Sequence, residues 1–178
     1  MRGSIREIRN DFLVQEETEG GLEVVNNLSN NFIYDEGVYA AYAIYGNKIG
    51  RFSYKAGLRN EFTDIQTLLI NTGESNPRSY NNLFPSGFLG YQLSKTANIQ
   101  VSYSRRIRRP RFWDLNPFFT FSDSRNFFSG NPNLDPEFTN SYEIGYMQFF
   151  NKGSIGSSLY YRHTTAVSYT HLTLPTKA

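Results

Sequence analysis

Five arginines fall within seven residues, Arg105, Arg106, Arg108, Arg109 and Arg111, and aromatic rings follow at once: Phe112, Trp113, Phe118, Phe119, Phe121, Phe127 and Phe128. Clustered guanidinium groups pair with phosphates, carboxylates or an anionic solute. Exposed rings stack on bases, sugars and chelate rings. Alternation weighs against nucleic acid, because an extended chain sends Arg106 and Arg108 to one face and Arg105 and Arg109 to the other. No single basic stripe results, and no nucleic-acid partner is expected. The rings have two uses, as a ligand platform or as a small core that packs a long loop onto its neighbours. If they meet a ligand, the residues to face it are Arg111, Phe112, Trp113, Asp114, Phe118 and Phe119.

Other chemistry finds little support. There is no Cys, and His163 has no partner His outside the last residues of the chain, so neither a metal set nor a triad can be assembled. Asp11, Glu36, Asp64 and Glu143 are scattered over different segments with no pair marked as a dyad. Neither an enzyme nor a bound cofactor is expected. A net charge of +2 is too mild to imply a polyanion by itself.

The elements that position the arginines and rings are strands. Only 39% of the chain is hydrophobic while 16% is aromatic, with 15 Phe and 13 Tyr, a composition that suits pleated surfaces and rules out a spanning helix of ~18 apolar residues. Residues 51–63 carry the clearest pattern: Phe52, Tyr54, Ala56, Leu58 and Phe62 alternate with polar residues or Gly. The same period recurs at Ile99, Val101, Tyr103 and Ile107, and at Tyr142, Ile144 and Tyr146. Connections are expected at about 15–31, 46–49 (a tight turn at Gly46-Asn47-Lys48), 71–82, 95–98, 110–138 and 151–154. They run long, short, long, short, long, short, which puts every long loop at one end of an antiparallel meander. Outer-membrane barrels have this asymmetry, with short periplasmic turns and longer outer loops. The fold class is therefore all-β, an up-and-down antiparallel meander of about seven strands with the loop asymmetry of a transmembrane barrel. Its apolar face touches lipid and its polar face lines the lumen, where Arg106 and Arg108 would meet acidic groups or an anionic solute, while Arg105 and Arg109 would lie outward near lipid phosphates.

Particular motifs sharpen this. Tyr103-Ser104-Arg105-Arg106-Ile107-Arg108-Arg109-Pro110 leads into Asp114-Leu115-Asn116-Pro117, and the chain returns through Gly130-Asn131-Pro132-Asn133-Leu134-Asp135-Pro136-Glu137 to Ser141-Tyr142-Glu143-Ile144-Gly145-Tyr146. This resembles the barrel of TonB-dependent outer-membrane receptors in the form common among Bacteroidetes, over roughly residues 32–165. The resemblance implies a receptor that binds a scarce solute, a siderophore, cobalamin or an oligosaccharide, and imports it across the outer membrane. It also implies a plug domain and TonB as partners in a longer parent, besides outer-membrane lipid. A plugged transporter barrel has ~22 strands, so the resemblance implies that residues 1–165 are a partial barrel domain, an open fragment of a large transmembrane barrel. MRGSIREIRNDF lacks the apolar core of a signal peptide, so the sequence is expected to start inside that parent. Ala166–Thr176 back-translates to a transposon-end adapter, so residues 166–178 are expected to be an assembly scar outside the fold.

One alternative belongs to another class, a secreted soluble β-sandwich that binds glycans through its aromatic loop. It would enclose Phe52, Tyr54, Leu58, Val101 and Tyr103 between two sheets ~10 Å apart, whereas a barrel wall leaves them outside.

Overall fold

The computed structural model describes residues 2–25, 29–117, 120–121 and 127–165. Residues 166–178, the expected scar, lie outside the described residues. Seven long strands follow one another: β1 (Arg2–Phe12), β2 (Asn30–Ile49), β3 (Phe52–Leu69), β4 (Arg78–Gln92), β5 (Ala97–Arg108), β6 (Glu137–Phe150) and β7 (Gly153–Thr165). Each pairs antiparallel with the next, in one sheet that forms an open half-barrel. The long connections at 13–29, 70–77 and 109–136 share one end, and the short ones at 50–51, 93–96 and 151–152 the other.

Three boundaries differ from the expectation. The first turn is not at Gly46, which pairs with Lys55 inside the ladder. Pairing continues to Ile49 and Phe52, and Gly50 and Arg51 form the turn. Gly50 has φ +60°, the left-handed value that a two-residue hairpin turn asks of its first central residue. The connection expected at 71–82 shrinks because β4 begins at Arg78, paired with Ile65, and Glu74–Ser75 folds back against Leu68–Leu69. Its polar side chains mark height above the lipid rather than irregular backbone. Finally, the polar break near Gly21 is a small hairpin, Gln15–Thr18 against Gly21–Val24.

Register assigns the two faces. Phe52, Tyr54 and Leu58 share a face with Tyr45, Leu89, Tyr91, Val101, Tyr103, Tyr142, Ile144, Leu159 and Tyr161. Among the described residues nothing covers this face: Phe52 is 61% exposed, Leu58 50% and Val101 45%. The single sheet excludes the sandwich, which would have enclosed those rings. Ser53, Lys55, Arg59, Glu61 and Thr63 point the other way, with Gln100, Ser102, Ser104, Arg106 and Arg108.

The apolar face also records a tilt. Outward residues turn polar above Tyr39 in β2 and Phe62 in β3, at Asp35 and Asp64, but above Tyr142 in β6 and Tyr161 in β7, at Asn140 and His163. The ladder row through Tyr161, Tyr142, Tyr103, Gly87 and Ala56 reaches Tyr45, six residues below Tyr39. Six residues are ~20 Å of strand and five strand spacings ~24 Å, so the boundary crosses the strands at roughly 40°. Spanning barrels tilt their strands by this much.

The β4–β5 ladder is shorter than its neighbours and stops at Ser86–Ser104, although both strands continue. Pro85, next in line, has no N–H to donate. Phe84 and Phe138 approach above that point, with ring centroids 6.5 Å apart. Arg59 lies 5.1 Å over the first ring and Arg105 4.8 Å over the second.

A charge placed on the apolar face should cost more than one placed beside it on the polar face. Val101→Arg is expected to destabilise the lipid-embedded chain by about 2–4 kcal/mol, and Ser102→Arg by under about 1 kcal/mol, in a urea titration followed by circular dichroism in vesicles. Equal costs would contradict the assignment of faces.

Candidate functional site

The connection between β5 and β6 folds back over the polar face at the long-loop end. Its first limb forms a short helix, Phe112–Leu115, because Asp114 turns back to accept the Arg111 N–H at 2.8 Å and the Asn116 N–H closes on the Phe112 carbonyl at 3.1 Å. The helix buries Phe112 and Leu115 against Phe32 and Tyr34 of β2 and Ile65 and Leu69 of β3, joined by Leu134 from the returning limb. Phe112 is the centre of this cluster. Its ring lies 5.3 Å from Phe32 and meets Tyr34 edge-on at 6.2 Å.

The two limbs are zipped together. Gly130 N–H donates to the Asn116 carbonyl and Asn131 N–H to the Asp114 carbonyl, both at 2.7 Å, and Ser129 Oγ donates to the Pro117 carbonyl at 2.7 Å. A Cβ at position 130 would lie 2.5 Å from the Asp114 oxygen, which explains why the GNPNLDPE segment starts with glycine. Farther along, Asn133 accepts a hydrogen bond from Asn76 at 3.0 Å, and Arg78 binds the Leu134 carbonyl at 2.6 Å as well as the Asp135 carboxylate.

Electrostatics pin the outgoing limb. Arg109 Nη2 donates to Glu61 at 2.5 Å and to Thr63 at 3.0 Å, with Glu36 4.0 Å from its Nε. Glu61 is shared with Arg59 at 2.6 Å, and Glu36 with Arg6 at 3.9 Å. Burial alone would lower the Arg109 pKa. The hydrogen bond to Glu61 and the charges of Tyr80, Glu61 and Glu36 outweigh it and hold the pKa above its ordinary value. The guanidinium therefore stays charged where it closes the chain Arg6, Glu36, Arg109, Glu61, Arg59 across three strands and the loop.

The expected site residues separate into groups. Arg106 and Arg108 lie exposed on the polar face, and Arg108 is 3.5 Å from Glu137. Arg109 does not point outward as alternation suggested; β5 ends at Arg108, the chain turns before Pro110, and the side chain swings under the loop to Glu61. Nor does Phe112 meet a ligand, since it is only 7% exposed and packs the loop onto the wall. Asp114 is occupied with the helix start. Arg111 and Trp113 remain exposed, Trp113 at 53% and edge-on to Phe112 at 4.9 Å. Phe118 and Phe119 lie outside the described residues. The residues missed were Glu36 and Glu61. Glu61 was legible as the acidic member of the polar row Arg59, Glu61, Thr63, and a cation had to meet it. Among the described residues no three His, Cys, Asp or Glu converge as a metal set.

Trp113 is the one tryptophan in the chain, so its emission reports on this loop alone. Arg109→Ala takes one of two guanidinium partners from Glu61, 11% exposed at its side chain, and the donor from Thr63, and is expected to cost about 1–3 kcal/mol. Gly130→Ala should part the limbs and cost about 1–3 kcal/mol. Both variants should shift Trp113 emission to the red and raise its quenching by acrylamide; unchanged emission with an intact sheet would contradict the latch.

Three comparisons bear on this geometry. A sequence profile described as the Outer membrane protein beta-barrel family matches residues 1–176. A search of curated proteins finds no match. Among solved structures, the crystal structure of the siderophore receptor PirA from Pseudomonas aeruginosa aligns over 91% of this chain at 12% identity and a TM-score of 0.47. This chain spans 40% of the length of that one. The profile covers almost every residue, and the seven long strands form a single sheet with an exposed apolar face. The chain belongs to the outer membrane protein beta-barrel family, and its place is the outer membrane.

Proposed function

We propose that residues 1–165 form part of the wall of a TonB-dependent receptor, which binds a scarce solute at its outer loops and imports it. The carrying observation is the loop 109–136, pinned across the polar face with Arg111 and Trp113 left exposed. A loop that only had to connect two neighbouring strands would need neither a core nor part-buried hydrogen bonds to Glu61, Thr63 and Arg78 of the wall. Trp113 offers a flat apolar surface and Arg111 a charge, the pair of features that a sugar or an anionic chelate would use. The solute is a ferric siderophore, cobalamin or an oligosaccharide. In the full-length parent a plug fills the lumen, where Arg106 and Arg108 meet its acidic groups, and TonB supplies the energy. The role is that of a receptor rather than a catalyst.

The test is uptake by cells expressing the full-length gene, with each of the three solute classes labelled in turn. Uptake of one class is expected, abolished when TonB is deleted, while binding at the cell surface persists. Trp113→Ala should weaken that binding roughly tenfold without loss from the outer membrane. Uptake that continues without TonB would sink the proposal.

A further inference from the structure

Among the described residues, ion pairs are confined to the long-loop end of the sheet. At the long-loop end Arg6, Arg59, Arg78, Arg108 and Arg109 each reach a carboxylate within 4.0 Å. The short-turn end is different. Lys48 lies just before the first turn and Arg51 in it, Lys95 lies in the second and Lys152 in the third; all are exposed, and none makes an ion pair among the described residues. No carboxylate is available locally either, because residues 37–60, 75–113 and 144–165 contain neither Asp nor Glu. Every short turn therefore presents at least one cation with no carboxylate among the described residues to neutralise it. A rim of like charge repels itself unless an external anion sits there.

The position of these cations says which anion. Ile49 and Phe52 end the apolar faces of β2 and β3, one residue from Lys48 and Arg51 respectively. Phe52 and Tyr91 lie 4.5 Å apart and Tyr45 and Tyr54 6.1 Å apart along that same border. Rings at the edge of an apolar belt sit at headgroup level, so Arg51, a residue beyond Phe52, reaches the phosphates. A cavity of about 370 Å³ between the first two turns, lined by Lys48, Arg51 and Lys95, could take an acidic protein segment from the polar side. The third turn stands apart from that cavity and carries its cation all the same. A spread over all three turns fits many small headgroups better than one inserted segment.

We propose that the short-turn rim binds anionic phospholipid headgroups, through Arg51, Lys95 and Lys152 with Lys48 beside them, in the leaflet those turns face. This rests on the sheet being a membrane wall. The full chain is refolded into nanodiscs of phosphatidylcholine containing a trace of spin-labelled phosphatidylglycerol or of spin-labelled phosphatidylcholine, and the motionally restricted fraction of each label is read. Phosphatidylglycerol is expected to be enriched at the protein roughly fivefold, and the preference should fade in about 0.5 M salt. The triple variant Arg51→Gln, Lys95→Gln and Lys152→Gln should fall to parity, while Arg6→Gln at the opposite end keeps the preference. Parity in the unaltered chain, or an undiminished preference in the triple variant, overturns the proposal. Loss of the preference on adding about 10 mM inorganic phosphate assigns the rim to small free anions, and loss on adding an acidic peptide assigns it to a protein segment; either result overturns it too. Absence of sheet and of insertion in both lipids would instead remove the membrane wall on which the proposal stands.

Discussion

Backbone hydrogen bonding is the constraint from which the structure follows. A wall with one face in hydrocarbon cannot leave peptide groups for water to satisfy, so each strand must find its partners in its neighbours. The meander meets this with the fewest crossings, because each strand pairs with the one just made. Two-residue turns at Gly50-Arg51 and Asn151-Lys152 keep the ladder unbroken to the rim. Ring packing then adds to a sheet already specified: Tyr103 over Tyr142 at 5.0 Å and Tyr142 over Tyr161 at 6.2 Å form a row across three strands.

The polar face obeys a different rule. Among the described residues the apolar core of this face lies where the loop 109–136 covers the upper parts of β2 and β3. Phe32, Tyr34, Ile65 and Leu69 are apolar residues on the otherwise polar side, and they stand at the height where Phe112, Leu115 and Leu134 arrive. Just below, Glu36, Glu61 and Thr63 take Arg109. Losing Arg109 takes a partner from Glu36, Glu61 and Thr63 at once, which makes the loop a unit rather than a set of independent anchors.

Much of this was legible in the sequence. The period-two pattern at Phe52 to Phe62 and at Ile99 to Ile107 fixed both strand type and face, and the order of long and short connections fixed topology, because both depend on local periodicity that the pleat enforces. Polarity misled at residues 78–82, where Ser79 and Asn81 looked like loop and are strand opposite Asp64 and Phe62. Above the lipid, a strand has no reason to be apolar. Gly46 misled for the opposite reason, since a glycine that turns and a glycine that lets Lys55 pass look alike in sequence, and only the φ of Gly50 separates them. The site was hardest. Arg109 was assigned by alternation, a rule that lapses once the strand ends, and its partners lie 46 to 48 residues away on β3.

The early end of the β4–β5 ladder has a mechanical consequence. Above Ser86 and Ser104 the wall is two plates, β1 to β4 and β5 to β7, joined there by the stacked rings of Phe84 and Phe138 instead of peptide hydrogen bonds. The segment leaving the second plate is moored on the first, at Glu61 through Arg109 and at Arg78 through Leu134. Shear between the plates thus loads that mooring directly, and a pull on the mooring is felt first along the seam, the most compliant line in the wall.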